Sequence, residues 1–143
     1  MKPSPRAYQT QQIMTASPAA LVAMLYDKAI LSLKEAIRAI EAGDIEARFN
    51  ANRRAGDIIT HLWTTLNIEQ GGEIAGNLSR LYGFMLSRLT LVDVKNDPEP
   101  AREVIGLLEP LRESWQILAK GKPADSSADK RAAAATSGIS VSA

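Results

Sequence analysis

Large apolar residues recur at intervals of three and four through residues 17–120, and no stretch there alternates as a half-buried strand does. Ser17-Pro18 reads as an N-cap followed by proline at the first helical position. Tyr26, Ile30, Leu33, Ile37 and Ile40 then follow in steps of four and three, and Gly43 reads as a left-handed stop. Asp44 can cap a second helix with Phe49, Ala55, Ile59, Leu62, Trp63 and Leu66 facing inward, ended by Gly71-Gly72. A third helix carries Ile74, Leu78, Leu81, Met85, Leu89 and Val92, and Asn96-Asp97-Pro98 breaks it. A fourth carries Val104, Leu108, Leu111, Trp115 and Leu118. Pro110 lies inside it and is expected to kink or split it near Leu107–Leu108.

Steps of three and four keep the apolar groups on one seam, and short loops force neighbouring helices to run antiparallel. The pattern therefore predicts an all-α protein, an antiparallel four-helix bundle over 17–120. Residues 1–16 hold only Tyr8, Ile13 and Met14 as bulky apolar groups and read as a mobile or short-helical N-terminal arm. Residues 121–143 hold only Ile139 and Val141, too little to offset ordering entropy, and read as a disordered C-terminal tail.

Composition narrows the function. The chain of 143 residues is 45% hydrophobic but only 5% aromatic, so its core must be mainly aliphatic. Lys and Arg number 17 against 16 Asp and Glu, a net charge of +1. That balance opposes a nucleic-acid binder held by phosphate neutralisation and a polybasic membrane attachment. The longest apolar run, Ala19–Tyr26, is far short of a membrane span, and no secretory signal is visible behind Met1-Lys2-Pro3. Cysteine is absent and His61 is the single histidine, which excludes thiolate and paired-histidine metal sites. The expectation is a cytoplasmic protein with no catalytic residues, no metal and no cofactor.

The remaining candidate chemistry is thin. His61 has Asp57 one turn earlier, and an exposed helical ion pair explains that spacing better than a general-base dyad. Gly71-Gly72-Glu73 lacks the Lys-Ser/Thr of a phosphate loop and reads as a turn. Arg48, Arg53 and Arg54 read as a solvated face with Asp57 in pairing distance.

More informative are apolar residues off the seam. At 100° per residue, Leu21, Met24 and Leu31 point away from the seam of the first helix. Phe84, Leu91 and Leu86 flank that of the third, and Ile105 and Ile117 leave that of the fourth. Together they suggest a partner surface, since extended exposed apolar patches mark interaction sites. The third helix also turns a run of small residues outward, Gly76, Ser79, Gly83, Ser87 and Thr90, readable as a shallow trough or as surface drift.

These residues also occur in a familiar order. Thr15-Ala16-Ser17-Pro18, Leu21-Val22, Met24-Leu25-Tyr26-Asp27, Gly71-Gly72-Glu73-Ile74-Ala75, Asn77-Leu78, Leu81-Tyr82 and Leu111-Arg112 with Trp115 resemble the FliS family of flagellar secretion chaperones. Tyr8-Gln9 resembles the tyrosine of that family's N-terminal arm, and the likeness spans about residues 8–118. Lys28, Gly83 and Val92-Asp93 depart from the family's common residues, and the tail lies outside the likeness.

The resemblance implies a four-helix bundle that binds the C-terminal segment of flagellin in the cytoplasm. It implies that premature polymerisation is blocked and that the subunit is delivered to the export gate. The expected partner-binding residues are Tyr8 and Ile13 of the arm with Leu25, Tyr26, Leu81, Tyr82 and Met85 of the bundle. A helical regulatory adaptor for another amphipathic partner, such as an export-gate component or an anti-σ-type regulator, is the alternative, and a homodimer through exposed leucines stays open.

Overall fold

The computed structural model describes residues 17–121 and contains four helices and no strands among them. They are α1 (Pro18–Glu41), α2 (Ile45–Thr64), α3 (Ile68–Lys95) and α4 (Glu99–Ala119). The arm residues Tyr8 and Ile13, and the tail beyond Gly121, lie outside the described residues.

The helix starts follow from side-chain caps. Ser17 Oγ accepts from Ala20 N at 3.2 Å, Asp44 Oδ1 from Ala47 N at 3.0 Å and Asn67 Oδ1 from Gln70 N at 3.0 Å. Each satisfies one of the amide donors that a first helical turn leaves free. Gly43 reverses the chain after α1 with φ of 71°, and Asn96 does so after α3 with φ of 50°. Both positions need the left-handed region, which glycine and asparagine tolerate best.

The second break falls earlier than the glycines suggest. α2 ends at Thr64, and Asn67 caps a single turn that runs into Gly72. Gly72, at φ 54° and ψ −128°, kinks α3 near its start and does not close α2. Of the kink or split expected at Pro110, the split does not occur, because α4 runs through it. The Pro110 ring points to the exposed side, where a lost backbone bond can be replaced by water.

α1 packs on α2 and α4, and α3 packs on the same two, so α1 and α3 are diagonal. The core takes Val22, Tyr26, Ile30 and Leu33 from α1, and Ala55, Ile59 and Leu62 from α2. It takes Leu78, Tyr82, Met85, Leu89 and Val92 from α3, and Val104, Leu108 and Trp115 from α4. A fully buried side chain of this size contributes about 1.5–3 kcal/mol. Ile105 belongs to this core as well, contrary to its reading as a misplaced surface residue.

Ion pairs across the helices agree with antiparallel order. Arg54 meets Glu35 between α2 and α1, Arg88 meets Glu103 between α3 and α4, and Arg112 meets Asp27 between α4 and α1.

Candidate partner-binding surface

The bundle residues expected to bind a partner separate into two groups. Leu25 and Leu81 are half-buried and pack against the core. Tyr26, Tyr82 and Met85 are wholly interior. The Tyr26 and Tyr82 hydroxyls meet across the diagonal at 2.5 Å. Burial pushes the Tyr82 phenol up to about 12, while its bond to Tyr26 pulls the other way. Tyr26 is raised well above its ordinary value, by burial first and then by Tyr82, with Trp115 opposing. In this state these three residues shape the bundle from within and offer a partner no direct contact.

The accessible apolar groups lie elsewhere. Phe49 is 49% exposed, Trp63 39% and Val94 73%, with Met24, Leu31, Phe84 and Ile117 also exposed. Phe49 and Trp63 thus do not face inward. Measured from Ala55 at 100° per residue, Phe49, Gly56 and Trp63 sit about 100° off the buried seam, on the flank toward α3. Their spacing of seven residues makes one stripe, and that spacing was the signal in the sequence. Adjacency to Ala55 and Leu62 obscured it.

α3 faces that stripe with small residues. The Trp63 indole donates from Nε1 to Ser79 Oγ at 2.8 Å. A Cβ on Gly83 would stand 3.2 Å from Trp63 Cη2. Part of the outward trough on α3 is therefore filled by the bundle's own tryptophan. Beyond it a groove of about 370 Å³ continues between α2 and α3, with Phe49, Gly56, Leu86, Thr90 and Val94 among its walls.

A polar clamp lies under the far end of this groove. Arg48, read from sequence as solvated, is buried and donates to Asp93 Oδ1 at 3.2 Å and to Asn96 Oδ1 at 2.6 Å. Asn52 Nδ2 donates to the Leu89 carbonyl at 2.9 Å and to Asp93 Oδ2 at 3.0 Å. The clamp ties the start of α2 to the end of α3. Asn52 Oδ1 is buried without a donor.

Of the residues weighed as a general-base dyad, Asp57 pairs with Arg53 at 4.0 Å, and His61 is exposed at the end of α2. Among the described residues, no set of three His, Asp or Glu side chains is placed to hold a metal ion. No helix among them is long and apolar enough to cross a membrane.

The family model described as "Flagellar protein FliS" matches residues 1–122. The chain belongs to the FliS family. It is 42% identical over 107 residues to the flagellar secretion chaperone FliS of Salmonella typhimurium, covering 74% of this chain and 79% of that protein. It is 35% identical over 122 residues to that of Vibrio cholerae, with 82% and 90% covered. For the Bacillus subtilis chaperone the identity is 33% over 110 residues, with 77% and 81% covered. FliS membership makes the protein a flagellar secretion chaperone, a class defined by holding a protein partner and not by catalysis.

Proposed function

We propose that this chaperone binds the C-terminal segment of flagellin in the cytoplasm, keeps it from polymerising and delivers it to the flagellar export apparatus, with no catalytic activity of its own. The observation that carries this reading is the exposed apolar stripe in a FliS-family bundle. A groove between two helices suits an amphipathic segment that lays its apolar face inward. A segment disordered when free must supply its own ordering entropy, so an extended contact with many anchors is needed.

The interior residues Tyr26, Tyr82 and Met85 serve this reading indirectly, by fixing the spacing of α1 and α3 beneath the surface. Tyr8 and Ile13 of the arm act as a self-plug in it, competing with flagellin for apolar surface. Co-expression of the full chain with flagellin from the same organism tests the reading. The expected result is a co-purified complex in which flagellin's C-terminal segment alone resists proteolysis. Separate elution of the two proteins, or protection of some other segment, would defeat it.

A further inference from the structure

α1 carries a second row of residues on the side away from the core. Met24, Lys28, Leu31, Glu35 and Arg38 follow one another in steps of four, three, four and three. At 100° per residue the first four lie within about 40° of the direction opposite Tyr26, and Arg38 within about 60°. All of them are exposed, Leu31 at 57%. From Met24 to Arg38 the row is about 21 Å long at 1.5 Å per residue. It has the spacing of a seam between two helices, yet no helix among the described residues covers it. Because α1 and α3 stand on a diagonal, the row is also turned away from the α2–α3 groove.

The order of charges along the row makes it complementary to itself. Lys28 lies three residues before Leu31, and Glu35 lies four after it. A two-fold axis through Leu31 can set a second α1 antiparallel on the first. Leu31 then meets its own copy, and each Lys28 comes beside the Glu35 of the other chain. Each Met24 comes beside the aliphatic stem of the other chain's Arg38. A parallel pairing would instead set Lys28 on Lys28, Glu35 on Glu35 and Arg38 on Arg38, which like-charge repulsion opposes. Within the chain, Lys28 and Arg38 have no ion-pair partner among the described residues. Glu35 receives Arg54 of α2 on Oε2, which leaves Oε1 for a second cation.

We infer that this outward face of α1 is the interface of a two-fold, antiparallel dimer between two copies of the chain. The occupant is a second copy because the row supplies its own complement, apolar on the axis and opposite in charge on either side. One pair of helix faces buries less than the ~1,600 Å² of a standard interface, so the dimer is weak and follows concentration. Each row faces away from α3, so pairing leaves both α2–α3 grooves uncovered. The inference does not depend on what those grooves hold.

Sedimentation equilibrium of the full-length chain alone, across micromolar concentrations, tests it. The wild type should show a reversible monomer–dimer equilibrium. Leu31→Asp sets two carboxylates on the axis and should lower the association constant at least about tenfold, which is about 1.4 kcal/mol. Leu31 is exposed, so this variant should keep its far-ultraviolet spectrum and thermal midpoint. Lys28→Glu and Glu35→Lys should each weaken association, and the two together should restore it by re-forming the pair across the axis. A monomer at every concentration would overturn the inference. So would a dimer indifferent to Leu31→Asp, or a double variant no better than the single ones. Loss of flagellin affinity in Leu31→Asp, with wild type and variant both monomeric, would give the face to the exported subunit and overturn it too.

Discussion

The hydroxyls of Tyr26 and Tyr82 meet 2.5 Å apart at the centre of the bundle, linking the two helices that stand diagonally across it. Both phenols are buried, and both are harder to ionise than in water, Tyr82 up to about 12. An acid whose folded value is raised ionises first in the unfolded chain. The stability it protects is complete below about pH 10 and falls as pH climbs toward the folded value. The slope is up to ~1.4 kcal/mol per pH unit for each phenol. Tyr82→Phe should lose about 1–3 kcal/mol at neutral pH, because the buried Tyr26 hydroxyl is left short of a partner. It should also decline less steeply above about pH 10, because one buried phenol has gone. Urea midpoints at neutral and alkaline pH measure both effects. Equal slopes for the variant and wild type would mean the phenols do not resist ionisation in the fold.

The Trp63 ring lies where a Cβ on Gly83 would come within 3.2 Å of it, and it bonds Ser79 through its ring nitrogen. Alanine at position 83 recovers up to about 1 kcal/mol of helix propensity. It also presses the ring outward by a few tenths of an ångström, which a side chain 39% exposed can accommodate. Gly83→Ala should therefore be neutral or slightly stabilising. Gly83→Val should lift the ring away and break the Ser79 bond. Trp115→Phe leaves Trp63 as the sole indole, so its emission reads the change directly. A red shift for valine and little for alanine is expected; identical spectra would show that the ring does not rest there.

Arg48 and Arg53 share one helix and each faces an aspartate, but their surroundings differ. The Arg48 side chain is 9% exposed and Asp93 30%, with Asn52 and Asn96 completing the clamp. Arg53 and Asp57 are largely exposed and 4.0 Å apart. Removing one partner of a buried pair strands the other, whereas an exposed pair contributes about 0–1 kcal/mol. Because Asp93 keeps some contact with water, the loss for Arg48→Ala is set at about 1–2 kcal/mol, below that of a sealed pair. Arg53→Ala should change stability by less than about 0.5 kcal/mol. Chemical denaturation of the two variants at low salt compares them. Equal losses would deny the clamp its role in joining α2 to α3.

Much of this architecture was readable before any coordinates, and the reasons are local. Ser17 and Asp44 are caps whose chemistry acts within three residues, and the seams on α1, α3 and α4 are strongly periodic. The boundary between α2 and α3 is hidden in the sequence because Thr65, Leu66 and Asn67 contain neither glycine nor proline, while Gly71-Gly72 advertises a break. Asn67 makes the cap, and Gly72 makes only a kink. The surface was less legible than the core. Phe49 and Trp63 are apolar residues beside a buried seam, and only the position of α3 shows which flank stays open. Tyr26 lies on the inward seam by its spacing, while the family likeness points to it and Tyr82 as partner-binding; each hydroxyl finds its partner in the other. Arg48 appears in a run of arginines, and only a residue 45 positions away shows that it is buried.

Pro110 occupies the interior of α4, and the helix continues through it. Its ring removes one backbone donor and crowds the carbonyl four residues earlier, that of Gly106. Gly106 is exposed, and a Cβ there would meet nothing within 4 Å. The helix can therefore ease around the proline on its solvent side without disturbing Leu108 or Trp115, which stay buried on the other. Proline in a helix interior costs up to about 3 kcal/mol relative to alanine, and easing recovers part of that. Pro110→Ala should stabilise the bundle by roughly 1–2 kcal/mol and raise the thermal midpoint by several degrees. Calorimetric scans of the two proteins decide it. A lowered midpoint would mean that the core contacts of Leu108 and Trp115 depend on the proline's bend, and α4 would then be shaped by Pro110 instead of merely tolerating it.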